Sequence, residues 1–437
     1  MTELTDPRPK AERSLLIGIE KDTIRKAEAQ SLLDELKGLA KTLGIDVADS
    51  MLVKLREKTA NLLVGSGKAQ EIANAAEAVN ADSIIFDHVL TPVQQRNWET
   101  LTKKKVYDRA ELIIRIFSAR ALTKEASLQV ELAQLQYALP RLAHSYEELS
   151  RQRGGRYGTK GAGEQKIELD RRTIERRIHE IKEELKEVQM SREIQRRRRE
   201  RILLPRAALV GYTNAGKSSL LNALTNAEIL AEDKLFATLD PTTRRLMLSS
   251  GGTLLLTDTV GFVRNLPHGL VEAFKATLEE AAQADLLIHV ADASDLEVEV
   301  HMQTTEKVLS EIGAGMKPRI LVLNKTDIAD PDKIDQWTRI HGSGIPVSAK
   351  TGEGLELLSK AIEQALTAEM GEYEFEFPHN EYALVALIHR EGSILYEETT
   401  DVGTRIICRI PERILHRVKK YCVTNKELVG GGDEKNQ

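Results

Sequence analysis

The chain has 437 residues, a formal net charge of −5 and a sequence pI near 6.1, which leaves room for about two to four domains and excludes a molecule drawn as a whole to nucleic acid, so any basic surface must be local. Two cysteines, Cys408 and Cys422, exclude a disulfide framework, and no apolar run reaches the length of a membrane span. With no signal-peptide pattern at the N-terminus, the expectation is a soluble, monomeric cytoplasmic protein without integral membrane contact.

Residues 1–12 are polar, and strands then alternate with helices. Leu15–Ile19 predicts a strand, Ala27–Leu43 a helix and Val53–Leu55 a short strand. Ala69–Asn80 predicts a helix, Ser83–Phe86 a strand, the stretch after Pro92 a helix and the residues around Val106 a short strand. This alternation predicts a small N-terminal α/β domain with a parallel sheet over residues 1–120. Gly65-Ser-Gly-Lys68 has a single residue between its glycines, too few for a phosphate-loop curl. It can cap a helix or touch a phosphate. Asp87-His88 reads as a turn closing its strand.

Residues 121–202 predict a helical hairpin. Leu128, Leu132, Leu135, Leu139, Leu142, Tyr146 and Leu149 form one heptad seam, which Pro140 should kink or loosen. Ile174, Ile178, Ile181, Leu185 and Val188 form the second. Between them lies a loop over 151–166, rich in glycine and arginine. Residues 151–177 hold nine lysines and arginines against four acids, a local net of +5 in a chain of −5. Five glycines there predict a mobile backbone. Arg151, Arg153, Arg156, Lys160, Lys166, Arg171 and Arg172 offer phosphate contacts, and Tyr157 a stacking face. Such a tip suits folded RNA read by phosphate and shape; a solvated tip is the plain alternative. A second basic run, Arg196–Arg199 with Arg201, is interspersed with glutamates and reads either way.

Residues 203–367 carry the densest chemistry. Ala207–Val210 predicts a strand running into Gly211-Tyr212-Thr213-Asn214-Ala215-Gly216-Lys217-Ser218-Ser219, the G-x-x-x-x-G-K-S spacing of a phosphate-binding loop opening a helix. Lys217 would reach the β/γ-phosphates and Ser218 would hold Mg²⁺. Asp258-Thr259-Val260-Gly261 follows an apolar strand, placing an aspartate near Mg²⁺ and a glycine under the γ-phosphate. Asn324-Lys325-Thr326-Asp327 follows another, and Asp327 can accept from guanine N1–H and its amine, which adenine lacks. Ser348-Ala349-Lys350 would present a backbone N–H to guanine O6. Four motifs in order, each at a strand's carboxyl end, predict a doubly wound P-loop domain with a GTP/GDP site. Between the first two lies Phe236-Ala237-Thr238-Leu239-Asp240, continued by Pro241-Thr242, where a threonine must cover Mg²⁺.

From Met370 a small α+β domain over 368–425 is expected, with strands at Tyr373–Phe377, Tyr382–Ile388 and Thr404–Ile410 and a helix from Pro411 to Tyr421. Residues 426–437 have the composition of a disordered tail.

Together these motifs resemble the HflX family of translational GTPases, within the wider Obg–HflX group. The resemblance rests on Gly154-Gly-Arg-Tyr-Gly158 through Gly163-Glu, Asp170-Arg-Arg172, Gly211–Ser218, Phe236–Pro241 and Asp258–Phe262, and it spans about residues 14–425. It implies binding to the large ribosomal subunit, with the hairpin loop probing near the peptidyl-transferase centre. It also implies GTP-dependent separation of stalled ribosomes under stress. In the Obg pattern the Mg²⁺ threonine corresponds here to Thr238; Thr242 is the fallback.

Many GTPases place a glutamine directly after D-x-x-G to orient water; here that position is Phe262, and the sequence offers no other catalytic side chain. Slow intrinsic turnover that a partner accelerates is therefore expected. Asn214 resembles the K⁺ ligand of potassium-activated GTPases, where the ion would stabilise transition-state charge; it could equally bond the switch backbone. An ATP-driven RNA or ribosome remodeller, with the N-terminal domain as a second nucleotide site, is the competing reading.

Overall fold

The computed structural model describes residues 12–21, 26–55, 59–145, 160–199, 204–225, 235–236, 238–248, 252–265, 280–340, 342, 344–368 and 370–425. They form two compact units: Met1–Met190 with Glu232–Asp240 and Arg264–Ala276, and Ser191–Ala231 with Pro241–Val263 and Thr277–Gln437.

The first unit opens with β1 (Arg13–Lys21), α1 (Lys26–Thr42), β2 (Asp46–Leu55), α2 (Ser66–Ala78), β3 (Ser83–Phe86), α3 (Pro92–Thr102) and β4 (Lys105–Asp108). The strands form one parallel sheet in the order β2-β1-β3-β4. β1 is buried along most of its length, as a central parallel strand covered on both faces must be. Trp98 closes the core, its ring 4.9 Å from Phe86 and its indole N–H donating to the Leu62 carbonyl at 3.0 Å. A further helix, α4 (Arg109–Arg120), starts at Asp108, whose carboxylate accepts from the Glu111 N–H at 2.9 Å. Gly65 is the N-cap of α2, and Lys68 pairs with Glu71 one turn on. That is the structural half of the Gly65–Lys68 reading. Asp87 does more than close a turn: its carboxylate is buried against Arg109.

The arm follows. α5 (Lys124–Ser145) stays helical through Pro140, so the expected interruption of the seam does not end the helix. α6 runs from Lys160 to Arg199. Glu131 takes both ends of the Arg177 guanidinium at 2.8 and 2.9 Å, and Lys124 stands 3.8 Å from Glu184. Seven residues back on one helix match seven forward on the other, which fixes them as antiparallel. Ile181, from the second seam, is fully buried. Lys160–Lys166, expected in a mobile loop, lie instead on α6. Each helical glycine costs about 1 kcal/mol, but the long helix behind them has already met the nucleation cost.

In the second unit, β5 (Arg206–Gly211), α7 (Lys217–Thr225), β6 (Thr242–Met247), β7 (Thr253–Asp258), β8 (Leu286–Asp292), α8 (Val298–Glu311), β9 (Arg319–Asn324), α9 (Pro331–Ile340), β10 (Ile345–Pro346) and α10 (Leu355–Ala368) form a six-stranded domain. The order is β10-β9-β8-β5-β7-β6, with only β6 antiparallel. β5 lies between β7 and β8, so the chain leaves it toward one edge and later returns toward the other. That reversal opens the crevice at the carboxyl end of β5.

The same unit ends in β11 (Met370–Pro378), α11 (Tyr382–Glu391), β12 (Ser393–Thr400), β13 (Gly403–Pro411), α12 (Glu412–Val418) and β14 (Cys422–Asn425), with an antiparallel sheet ordered β12-β13-β11-β14. Tyr382–Ile388 is helical, not a strand. Its apolar run contains two Ala and two Leu, good helix formers, and buries Val385, Leu387 and Ile388. Among the described residues no helix is long and apolar enough to cross a membrane.

Candidate nucleotide site

The phosphate-loop motif sits between β5 and α7. Gly211 (φ +152°) could carry no side chain, because a Cβ there would stand 2.2 Å from the Val290 carbonyl oxygen. Gly216 (φ +89°) is excluded from substitution by Asn324, whose amide nitrogen would lie 2.2 Å from its Cβ. Asn214 also takes the left-handed conformation (φ 62°). The Lys217 ammonium is buried and donates to the carbonyls of Gly211 (3.2 Å) and Tyr212 (2.8 Å). Burial pulls its pKa down to about 8, and the charge of Asp258 works against that fall. The Ser218 hydroxyl donates to Asp258 at 2.5 Å, which brings the expected Mg²⁺ ligand Ser218 beside the aspartate expected near the ion.

Asp258-Thr-Val-Gly261 leaves β7 and crosses directly to the loop. Thr259 donates to the Leu209 carbonyl at 2.7 Å. The Phe262 N–H donates to Gly211 and its carbonyl accepts from the Thr213 N–H, at 3.1 and 2.8 Å. A Cβ on Gly261 would lie 2.7 Å from Thr213 Cα and 2.9 Å from Lys217 Nζ. The Phe262 side chain is 1% exposed. Its main chain belongs to the site; its ring belongs to the core.

The two remaining motifs join the same group of loops. Asn324 donates from its side chain to the Ala215 carbonyl at 2.8 Å and accepts from the Ala349 N–H at 3.1 Å. It therefore brackets the phosphate loop to the Ser348–Lys350 turn. Asp327 accepts from the Ser348 hydroxyl at 2.8 Å, with the Lys350 ammonium 4.0 Å away. Thr326 is tied through its N–H to the Val347 carbonyl at 3.3 Å. Lys325 (φ 66°) pairs with Asp292 at 2.7 Å. Asp292 was not singled out from the sequence; its only signal is its place at the end of the apolar strand β8. His301 was missed as well: its ring stacks on Tyr212 at 3.8 Å, and Asp295 lies 3.2 Å from its Nδ1.

The chemistry is that of a nucleoside polyphosphate site. Backbone N–H groups at a helix N-terminus, a buried lysine and a serine–aspartate pair gather around one loop, a set suited to phosphate and a hard cation, and the Asp327 carboxylate is suited to a base edge with two donors. Three family models match: GTP-binding GTPase N-terminal over residues 30–118, GTP-binding GTPase Middle Region over 120–199, and 50S ribosome-binding GTPase over 206–325. GTPase HflX of Akkermansia muciniphila is 45% identical over 433 residues, covering 96% of this chain and 99% of that one. The chain belongs to the HflX family of GTPases. Another HflX, from Escherichia coli K12, is 42% identical over 374 residues, covering 85% and 88%. Among solved structures, the SsGBP–GDP complex is 28% identical, covers 81% of this chain and 98% of its own, and has a TM-score of 0.48. As an HflX-family GTPase, the protein binds and hydrolyses GTP.

The other expected residues are scattered. Phe236, Thr238, Leu239 and Asp240 belong to the first unit, while Thr242 begins β6 in ladder register with Asp258. Ala237, Arg151, Arg153, Arg156, Tyr157, Arg201 and the 426–437 tail lie outside the described residues. Lys160, Lys166 and Arg196–Arg199 lie on α6. Arg171 and Arg172 are exposed on α6, with Arg171 2.9 Å from Glu175.

Proposed function

We propose that this HflX-family GTPase uses the γ-phosphate of GTP to control binding to the large ribosomal subunit and the separation of stalled ribosomes under stress. The α5–α6 arm contacts ribosomal RNA near the peptidyl-transferase centre. The observation that carries this reading is a segment of net +5 over residues 151–177 of the two-helix arm, in a chain of −5 that also holds a GTPase segment matching a 50S ribosome-binding model. The basic residues over 151–177, six of them on α6 and Arg177 among these already paired with Glu131, would supply the salt-dependent phosphate contacts RNA requires.

At the nucleotide, Gly211–Ser219 cradle the phosphates, and Asn324–Asp327 with Ser348–Lys350 hold guanine. Mg²⁺ fits the hard oxygens of Ser218 beside Asp258, and it would supply charge neutralisation at the β- and γ-oxygens. Thr238, in its Phe-x-Thr-Leu context, is the candidate for its cover, with Thr242, which pairs in register with Asp258, as the fallback. Asn214 is assigned to K⁺ as part of the same proposal; equal turnover in potassium and sodium would remove that role. The buried Phe262 ring cannot orient water, so intrinsic turnover is slow. The direct test is GTP turnover with purified subunits. Large subunits should raise it by at least tenfold and small subunits should not; equal rates with either would overturn the proposal.

A further inference from the structure

The turn that leaves β8, within the second unit, touches both halves of the nucleotide site. Asp292 takes the Lys325 ammonium of the base motif at 2.7 Å on one carboxylate oxygen. Its other oxygen accepts from the Ser294 N–H and hydroxyl at 3.0 and 2.6 Å, and its carbonyl accepts from the Asp295 N–H at 3.2 Å. Asp295 accepts in turn from the Glu297 N–H at 2.9 Å, just ahead of α8. The helix is anchored beneath, where Val298 and Met302 are buried with Ala291, Ala293 and Leu323. His301, on the first turn of α8, therefore stands on a rigid platform.

From that platform His301 reaches the phosphate loop. Its ring lies flat on Tyr212, centroids 3.8 Å and planes 11° apart. Asp295 Oδ2 lies 3.2 Å from Nδ1 and Glu297 Oε2 4.0 Å from Nε2. The carboxylates can only accept, so they turn the edge of the imidazole toward themselves and leave its face for Tyr212. Tyr212 is the only aromatic residue in Gly211–Ser219, and it is buried. Its carbonyl accepts from the Lys217 ammonium at 2.8 Å and from the Ala215 N–H at 3.3 Å. Whatever fixes the Tyr212 ring thus fixes the carbonyl around which the loop curls.

We infer that His301 is a positioning residue of the phosphate loop: its imidazole, oriented by Asp295 and Glu297, clamps the Tyr212 ring and holds the loop curled before nucleotide arrives. The ordering cost is then met in advance. The inference rests on the proposed role of Gly211–Ser219 in cradling the phosphates. The backbone of such a loop serves the α- and β-phosphates, so the clamp should aid GDP and GTP alike. It sets the shape of the loop and so belongs to affinity, not to the hydrolytic step.

The test uses the full chain without ribosomes and reads affinity for GDP and for a non-hydrolysable GTP analogue, with thermal unfolding as the check that each variant is folded. His301→Leu keeps apolar bulk without a flat face, His301→Ala removes both, and His301→Phe keeps the face without the nitrogens. The alanine and leucine variants should each weaken both nucleotides by about three- to tenfold, the worth of one stacked aromatic pair, and the phenylalanine variant should stay within about twofold of the parent. For His301→Ala, KM for GTP should rise by the same factor while kcat stays within about twofold. Tyr212→Leu should lose as much as His301→Ala, and the double variant no more than either. Parental affinity in His301→Leu, a phenylalanine variant as weak as the alanine one, or additive losses in the double variant overturns the inference. Lys217→Ala separates the two levels: if it too binds GDP like the parent, the phosphate-loop reading is what fails.

Discussion

Asn324 offers the sharpest test of how the nucleotide pocket is held together. Its side chain is buried and satisfies two main-chain groups, the Ala215 carbonyl and the Ala349 N–H. Asn324→Ala leaves both without that partner. A buried group left unmade costs about 1–3 kcal/mol, and water entering the gap returns part of it. The sum is about 2–4 kcal/mol, or a loss of roughly 30- to 1000-fold in nucleotide affinity if the bracket pre-forms both loops. Titration with a fluorescent guanine nucleotide reads the affinity, and thermal unfolding with saturating GDP reads the stability. Asn324→Asp is the control, because it keeps an acceptor for Ala349 but turns an oxygen toward the Ala215 carbonyl; it should bind no better than the alanine variant. Gly216→Ala should be nearly as damaging, since its Cβ would lie 2.2 Å from the Asn324 amide. The double variant should lose less than the sum, because the clash goes with the side chain. A folded Asn324→Ala protein binding GDP within threefold of the parent would refute the reasoning.

Asp327→Asn should cost at least a hundredfold in GTP affinity and little in fold stability, and competition with ATP should show the guanine preference narrowed. Lys217 gives a pH signature. Its folded pKa of about 8 lies below the ordinary 10.5, so the unfolded chain holds the extra proton between those values and this group's contribution to stability rises with pH across that window. Nucleotide binding runs the other way: polyphosphate needs the ammonium, so GDP affinity should fall as pH rises through 8, by about tenfold per unit at the steepest. A flat titration from pH 7 to 9 would contradict it. Phe262→Gln should not speed hydrolysis, because the side chain at that position lies in the core; it should lower the melting temperature, and a faster variant would show that the position faces the γ-phosphate.

The nucleotide motifs were legible because each fixes a backbone shape that few residues can adopt. Gly211, Gly216 and Gly261 sit where a Cβ would collide, and the strands before them are continuous apolar runs. The parts of the site made by tertiary packing were not legible. Asp292 holding Lys325, His301 on Tyr212 and Asn324 reaching across to Ala215 depend on which loops become neighbours, and spacing along the chain does not state that. The same limit explains the misread stretch at Tyr382–Ile388, where an unbroken apolar run fits a buried strand or a short buried helix equally. Lys160–Lys166 were misplaced for a different reason: local glycine content was weighed without the long helix it joins.

The central claim is that the terminal phosphate of GTP decides whether the basic arm is held on the ribosome. Sedimentation of the full chain with purified large subunits tests it most directly, comparing a non-hydrolysable GTP analogue, GDP and a deletion of residues 151–166. Co-sedimentation with the analogue alone, abolished by the deletion and by raised salt, is the predicted result. Equal co-sedimentation in GDP, or a deletion variant that still travels with the subunit, would contradict it.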